Sequence, residues 1–393
     1  MAREVVLAGA ARTPIGKFGG RLARFEAAEL GAHAARAAIE RAGLRPDQVD
    51  QAVFGHARQA GGGPNAARQA ALKAGIPVER PAYTINQACL SGMQAILAAA
   101  RAIRAGEADV VLAGGMEAMS RVPFLLDARW GLRMGHRPLV DAMYRDGYTD
   151  PICDRVMGET AETLADRYGI SREEQDAYAA RSQQRCAVAR RERRFDAEIV
   201  PVEVPDSRTR PGERVTEDEH PRDGVTVASL ARLAPAFREN GTVTAGNSSG
   251  ITDGAAAILV LGADAAERLG VEPQATLAGY RVDGVAPEVM GIGPVPAVRN
   301  LLEATGTDLA RIERVELNEA FAAQVLAVDR ELRFDPDRLN PNGGAIALGH
   351  PSGCSGARIV VTLLHEMARI GARLGLATLC VSGGMGGAML VRR

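Results

Sequence analysis

Lysine is almost missing from this chain: among its 47 basic residues only Lys17 and Lys73 are lysines. Schiff-base chemistry therefore has two candidates. Neither Gly16-Lys17-Phe18 nor Leu72-Lys73-Ala74 reads as a phosphate-loop lysine. The arginine bias itself reads as genome composition. An excess of either charge is also lacking, with 47 basic against 48 acidic residues and a net charge of −1. That argues against a dedicated nucleic-acid or membrane-surface protein. Cysteine is sparse: Cys89, Cys153, Cys186, Cys354 and Cys380 are odd in number, widely spaced and contain no C-x-x-C. A secreted disulfide framework and a structural zinc site are both disfavoured, and no metal is expected. No apolar run reaches the ~18 residues needed to span a bilayer. The start, Val5-Val6-Leu7-Ala8-Gly9, reads as a strand rather than a signal peptide. The end, Leu390-Val391-Arg392-Arg393, is not a peroxisomal address. A reducing cytoplasm is the expected compartment.

What is present is an ordinary globular balance, 46% hydrophobic and 24% charged over 393 residues. At ~100–200 residues per domain this predicts two or three domains, with a core large enough to need no disulfide. Up to about Met119, strands alternate with helices. Strands are expected over 5–8, 49–55, 82–86 and 109–113, and helices over 26–42 and 91–105. The second helix carries Met93, Ile96, Leu97, Ala100 and Ile103 at helical spacing. Such β-α-β repetition means a sheet covered by helices. The middle, about 120–245, is richer in charge and loops. Ser171-Arg172-Glu173-Glu174 is a capping box opening a polar helix to about Arg194. The four arginines within 189–195 read as a solvated helix face. After Gly246 the α/β pattern returns, with strands over 256–261 and 376–381 and a helix over 355–370. Ser91-Gly92, helix, strand, Gly114-Gly115-Met116 is echoed by Ser355-Gly356, helix, strand, Gly383-Gly384-Met385, the second interval being slightly longer. Two duplicated halves would explain the echo; chance likeness of Gly-rich turns would too.

Three residues stand out chemically. Cys89 lies between a strand and a helix in Asn86-Gln87-Ala88-Cys89-Leu90-Ser91-Gly92. A helix N-terminus favours thiolate, and backbone amides there can receive an oxyanion. An inert buried cysteine is the alternative. His350, in the Gly-dense run 343–356 just before a helix, suits acid–base work; it could equally be structural. Cys380 ends a strand and runs into the small residues of Val381-Ser382-Gly383-Gly384-Met385-Gly386-Gly387. Substrate approach or close strand packing would both account for that. Asn318-Glu319-Ala320-Phe321 also follows a strand-like run, or supplies a helix N-cap.

The sequence resembles the thiolases, and within them the biosynthetic acetyl-CoA acetyltransferases. The resemblance runs from Arg12-Thr13-Pro14-Ile15-Gly16 to Ala388-Met389. It includes the Cys89 segment, Gly114-Gly115-Met116-Glu117-Ala118-Met119-Ser120, Gly246-Asn247-Ser248-Ser249-Gly250, Asn318-Glu319-Ala320-Phe321-Ala322, Gly349-His350-Pro351 and the Cys380 strand end. It implies a five-layer α-β-α-β-α core of two duplicated halves with mixed sheets. Residues 1–119 and 246–272 would form the N-terminal half and 273–393 the C-terminal half. Residues 120–245 would be an inserted loop domain over the active site.

The resemblance further implies a ping-pong reaction in short-chain fatty acid metabolism. Cys89 would take the acyl group from acyl-CoA, with His350 accepting its proton. Cys380 would deprotonate a second acetyl-CoA. His350 and a water placed by Asn318 would hold the enolate, and the Cys89 and Ser382 amides would form an oxyanion hole. Arg222, Ser229, Ser249, Met157, Ala320 and Phe321 would contact CoA or the acyl chain. CoA thioesters would be substrates, with no permanently bound cofactor, and the chain would be a homodimer or homotetramer.

Four departures bear on this. Ser382 stands where the family usually has Gly, which would strain a left-handed backbone. Val156 replaces a His, Leu90 a Gly or Ser, and Thr163 an Asn. Rival readings are an α/β-hydrolase elbow at Gly246-Asn247-Ser248-Ser249-Gly250 with Asp253 and His350, a zincin-like His365-Glu366 lacking its second His, a Gly-rich dinucleotide loop at 383–387, and a catalytically inert CoA-binding scaffold.

Overall fold

The computed structural model describes residues 3–206 and 211–393. Among the described residues the main sheet has ten strands, nine in one continuous order: β1 Val5–Arg12, β2 Gln51–Gly55, β3 Ala82–Ile85, β4 Val110–Ala118, β5 Thr252–Gly262, β6 Ala275–Gly284, β7 Arg314–Leu317, β8 Leu374–Val381 and β9 Met385–Arg392; the tenth, Gly16–Lys17, pairs with the start of β5. The helices that matter here are α1 Ala27–Arg41, α2 Ala66–Lys73, α3 Ser91–Ala105, α4 Met157–Tyr168, α5 Arg172–Arg191, α6 Pro294–Thr305, α7 Ala322–Leu332 and α8 Ser352–Ile370.

The duplication is visible in the strand pairing. The first half runs β3-β2-β4-β5-β1, with β2 parallel to both its neighbours and the rest antiparallel. The second half runs β7-β8-β9-β6, again with one parallel pair followed by antiparallel ones. A parallel bridge from Val315 to Leu339 stands where the first half has its outermost strand. The halves are not separate sheets. Val6 and Leu7 pair antiparallel with Thr276 and Ala275, so one hydrogen-bond ladder runs through both. This short edge contact covers backbone groups that would otherwise be left unpaired.

Side-chain alternation sets the layers. Val6 and Ala8 of β1 face the cluster with α1 and α2, while Val5 and Leu7 face the cluster with α3 and α8. In β8, Leu376 faces a third cluster with α6 and α7, and Ala377, Leu379 and Val381 face α3 and α8. The order is α1/α2, first half-sheet, α3/α8, second half-sheet, α6/α7: five layers, as expected. Each wholly buried Leu, Ile or Val contributes roughly 1.5–3 kcal/mol, so α3 and α8 are anchored by apolar burial along nearly their whole length.

Boundaries moved by a few residues. Helix α8 starts at Ser352 rather than 355, and β5 covers Thr252–Gly262 rather than 256–261. Helix α5 opens on the Ser171 capping box and ends at Arg191, where Arg193 enters the left-handed region with φ 58°. The arginine run forms ion pairs with Glu217, Asp223, Glu192 and Asp196, which fits a solvated face. Within 120–245, α4 buries Met157, Ala161 and Leu164 against Met290, Phe321 and Cys380. That contact brings this segment over the ends of β7 and β8.

Candidate active site

Cys89 sits on the turn between β3 and α3. Ala88, just before it, is held in the left-handed region at φ 46°, unusual for a residue with a side chain. Asn86 enforces the turn: its Oδ1 accepts from the Ala88 N–H (3.0 Å), and its Nδ2 donates to the Ala57 carbonyl (3.0 Å). Ser91 closes it from the helix side, accepting from Gln87 N and donating to Ala88 O. The result aims a thiol out of the sheet into a cavity of about 780 Å³.

His350 meets it from the other half. Its Nε2 is 3.3 Å from Cys89 Sγ, and its Nδ1 is 2.6 Å from Ser355 Oγ. Ser355 Oγ donates to the Pro351 carbonyl (3.0 Å), so it accepts from Nδ1–H. That network assigns the proton to Nδ1 and leaves Nε2 free to accept from the thiol. Burial depresses the imidazole to about 3, with the charges of Arg58 and Arg358 adding to the effect. The resting ring is neutral, with its acceptor lone pair at Nε2.

Burial also pushes the Cys89 thiol up, against the opposing charge of Arg58 and the N–H groups of Ser382 and Cys89 itself. The helix N-terminus was expected to favour thiolate; desolvation outweighs it here. The resting pair is thiol and neutral imidazole, and proton transfer accompanies attack. The Ser382 and Cys89 backbone N–H groups both bear on the Cys89 sulfur. Ser382 is not strained: the left-handed positions are Gly383 (φ 85°) and Gly384 (φ 84°), immediately after it.

Cys380 is buried and lines the same cavity, as does Ser382. Burial raises its thiol, and the nearby Cys89 raises it further. Arg222, Ser249, Met157, Ala320 and Phe321 also line the cavity. Two expected residues do not. Ser229 is exposed, and its hydroxyl is taken up donating to the Thr226 carbonyl in a short helical turn. Asn318 lies behind the cavity wall, its N–H donating to Thr378 O beside the end of β8. It caps no helix, since α7 begins at Ala322 after Phe321. Its side chain is wholly buried, and neither Oδ1 nor Nδ2 has a partner among the described residues.

Several lining residues were not expected. Arg58, Tyr148, Lys17, His220, Phe237 and Met290 all face the cavity. Lys17 and Arg222 place two cations at its mouth, beside Glu219. Glu117, buried, ties the Arg58 segment to the His350 loop. It accepts from the N–H groups of Ala57, Arg58 and Gly353 and lies 3.1 Å from His56 Nε2.

The hydrolase and zincin readings fail on geometry. Ser248 Oγ donates to Thr244 O, and Asp253 accepts from Ser120, so neither joins His350 in a triad. His365 Nε2 donates to Ala10 O, and Glu366 pairs with Arg314 and Arg369. Among the described residues no cluster of His, Cys, Asp and Glu could hold a metal ion.

The comparisons agree with this geometry. The thiolase N-terminal domain matches residues 5–264 and the thiolase C-terminal domain residues 271–393. The chain belongs to the thiolase family. An acetyl-CoA acetyltransferase of Pseudomonas aeruginosa is 52% identical, with both chains covered to 100%. A probable acetyl-CoA acyltransferase of Staphylococcus aureus is 50% identical, with 99% of each covered. Among solved structures, the Bacillus anthracis acetyl-CoA acetyltransferase superposes with a TM-score of 0.97 at 45% identity, covering 100% of this chain and 99% of that one. The human mitochondrial 3-ketoacyl-CoA thiolase in complex with CoA gives 0.96 at 42% identity, with 100% and 99% covered. This thiolase is thus an acyltransferase, and the family's two halves coincide with the two half-sheets.

The Leu90 departure has a compensation within the fold. Its side chain fills the space over Gly387, where a Cβ would collide with it.

Proposed function

We propose that the chain interconverts two acetyl-CoA with acetoacetyl-CoA and CoA, and cleaves other short 3-ketoacyl-CoA by the reverse path. The observation that carries this is the 3.3 Å approach of His350 Nε2 to Cys89 Sγ in a cavity that Cys380 also lines. Cys89 attacks the thioester carbonyl while its proton passes to His350 Nε2. The oxyanion is received by the Cys89 and Ser382 amides, CoA leaves with the proton, and an acyl-Cys89 remains. The Cys380 proton passes to His350 Nε2, and the Cys380 thiolate then removes a proton from the methyl carbon of acetyl-CoA. The enolate oxygen is held by His350 Nε2–H and by a water on the otherwise unpartnered amide of Asn318. Carbon–carbon bond formation expels the Cys89 thiolate, which takes the proton back from His350. A thioester α-carbon is a weak acid, so a placed base and preorganised donors supply most of the barrier reduction.

CoA enters past Lys17 and Arg222, whose cations suit its phosphates, with Ser249, Met157 and Ala320 along the arm and Phe321 against the acyl group. No resident cofactor is required by this chemistry. No helix among the described residues is long and apolar enough to cross a membrane. All five cysteines are free, which supports a cytoplasmic setting. Exposed apolar side chains at Phe124, Trp130, Met134 and Leu139 support a homodimer or homotetramer.

Mass spectrometry after mixing with acetyl-CoA tests the first half: one acetyl group is expected, on Cys89. No adduct, or an adduct on Ser248, defeats the reading. Cys380→Ala is expected to acetylate and fail to condense; ordinary condensation by that variant removes Cys380 as the base.

A further inference from the structure

The geometry points to a substrate preference that the acetyl reaction does not need: Arg58 binds the terminal carboxylate of a dicarboxylic acyl chain carried on Cys89. This deepens, and rests on, the thiolase reading of the same cavity.

Arg58 is 8% exposed and lines the cavity with Cys89 and His350. Its guanidinium lies flat against Gly147, where a Cβ would collide with it, and over the Tyr148 ring at 5.0 Å from the centroid. Two neighbours therefore shape a slot for the fork. Its Nε has no hydrogen-bond partner among the described residues, and no carboxylate there forms an ion pair with the group. Glu117 is a nearby buried anion whose charge acts on Arg58, but it gives the guanidinium no hydrogen bond, because its two oxygens take three backbone N–H groups and face His56. By contrast the wholly buried Arg12 is clasped by both Glu198 and Asp218.

A buried guanidinium N–H with no acceptor is costly, and an anionic acceptor entering the cavity removes that cost. Arg offers a planar pair of donors that matches a carboxylate. The position selects which anion. The CoA phosphates are met at the mouth by Lys17 and Arg222, whereas Arg58 stands beside Cys89, which only the acyl end reaches. Much of the remaining wall is apolar, with Met119, Met157, Met290, Phe237 and Phe321. An acyl chain with an apolar middle and a charged end fits that distribution.

The chemistry is unchanged and balanced. An ω-carboxyacyl-CoA plus acetyl-CoA gives the 3-oxo-ω-carboxyacyl-CoA plus CoA. The acyl carbon exchanges sulfur for Cys89, the methyl proton leaves with the new carbon–carbon bond, and CoA departs protonated. The distal carboxylate takes no part in bond changes.

Thiolysis of two six-carbon substrates, 3-oxohexanedioyl-CoA and 3-oxohexanoyl-CoA, tests the assignment on the full chain. In the wild type kcat/KM is expected to favour the carboxylate-ended substrate by about tenfold or more. Arg58→Met is expected to cut that preference by about tenfold, with Arg58→Lys between. A wild-type preference at or below unity overturns the proposal, even if Arg58→Met fails to fold. An equal loss on both substrates in Arg58→Met also overturns it, because Arg58 would then act only through Cys89. A wild type that acetylates Cys89 yet shows no preference leaves the thiolase reading standing; one that forms no acyl-Cys89 removes both.

Discussion

Gly92 and Gly356 lie against each other's helices at the pseudo-symmetric centre of the molecule. A Cβ on Gly92 would come within 2.7 Å of the Ala357 nitrogen, and one on Gly356 within 2.5 Å of the Met93 nitrogen. The two helix N-termini can approach only because both positions lack a side chain. One of those termini carries Cys89 and the other follows His350, so the catalytic contact is set by this crossing. Gly92→Ala and Gly356→Ala are each expected to cost about 1–3 kcal/mol through overpacking. Thermal melts should fall by a few degrees, and activity should fall further than stability alone explains. A variant with wild-type melting and rate would separate the crossing from the chemistry.

Ser355 sets the imidazole. It accepts from His350 Nδ1–H at 2.6 Å and is itself fixed by donating to Pro351 O. Ser355→Ala removes that acceptor and lets either nitrogen carry the proton. Loss of one such bond, about 0.5–1.5 kcal/mol, predicts a roughly two- to tenfold lower rate of Cys89 acetylation. Stopped-flow release of CoA in the first turnover measures it. Unchanged acetylation would leave Ser355 a packing residue.

Much of this site was readable from residue order, and the exceptions have physical causes. Cys89, His350 and Cys380 each sit at a strand end or helix start among small residues, and local spacing shows such places. Helix α3 was legible because its apolar face repeats along its length and Gly106, at φ 75°, stops it. Arg58 was not, because it lies in a loop without a motif, and its importance comes from what fails to pair with it. Ser229 looked like a contact by position, yet its hydroxyl is spent inside its own turn. The β1–β6 pairing was also invisible, since two residue pairs at an edge leave no periodic trace.

The pH response follows from desolvation. Burial holds His350 at about 3 against an ordinary 6.5, so the folded enzyme keeps it neutral across the working range. Single-turnover acetylation should therefore show no limb near 6.5 and stay level with pH until the Cys89 thiol, itself pushed up by burial, begins to ionise. A limb near 6.5 that disappears in His350→Asn would contradict this. For stability the sign is the opposite of a paired histidine: below about 6.5 the unfolded chain takes up a proton that the folded chain refuses. Stability contributed at this site is expected to decline as pH falls from about 6.5, and His350→Asn should flatten that part of the melting-temperature curve.

Asp150 ties the 120–245 segment to the backbone just after Ser382. Its Oδ2 accepts from the Gly383 N–H at 2.9 Å and its Oδ1 from Ile152 N at 2.8 Å, with the side chain buried. Gly383 directly follows Ser382, whose amide faces the Cys89 sulfur. With two left-handed glycines after it, this stretch would wander unless tied from outside. Asp150 is thus a positioning residue for the Ser382 donor. Losing an oxyanion donor outright costs about a hundredfold or more in kcat; misaligning one in Asp150→Ala should cost roughly tenfold to a hundredfold in Cys89 acetylation. KM for acetyl-CoA should change little, because the arm and mouth are untouched. Asp150→Asn can still accept from the Gly383 N–H, although its NH2 would then face the Ile152 N–H, and should recover part of the rate. A rise in KM at constant kcat, or no recovery with Asn, would make Asp150 merely a loop anchor and leave the aim of the Ser382 amide to β8 and β9 alone.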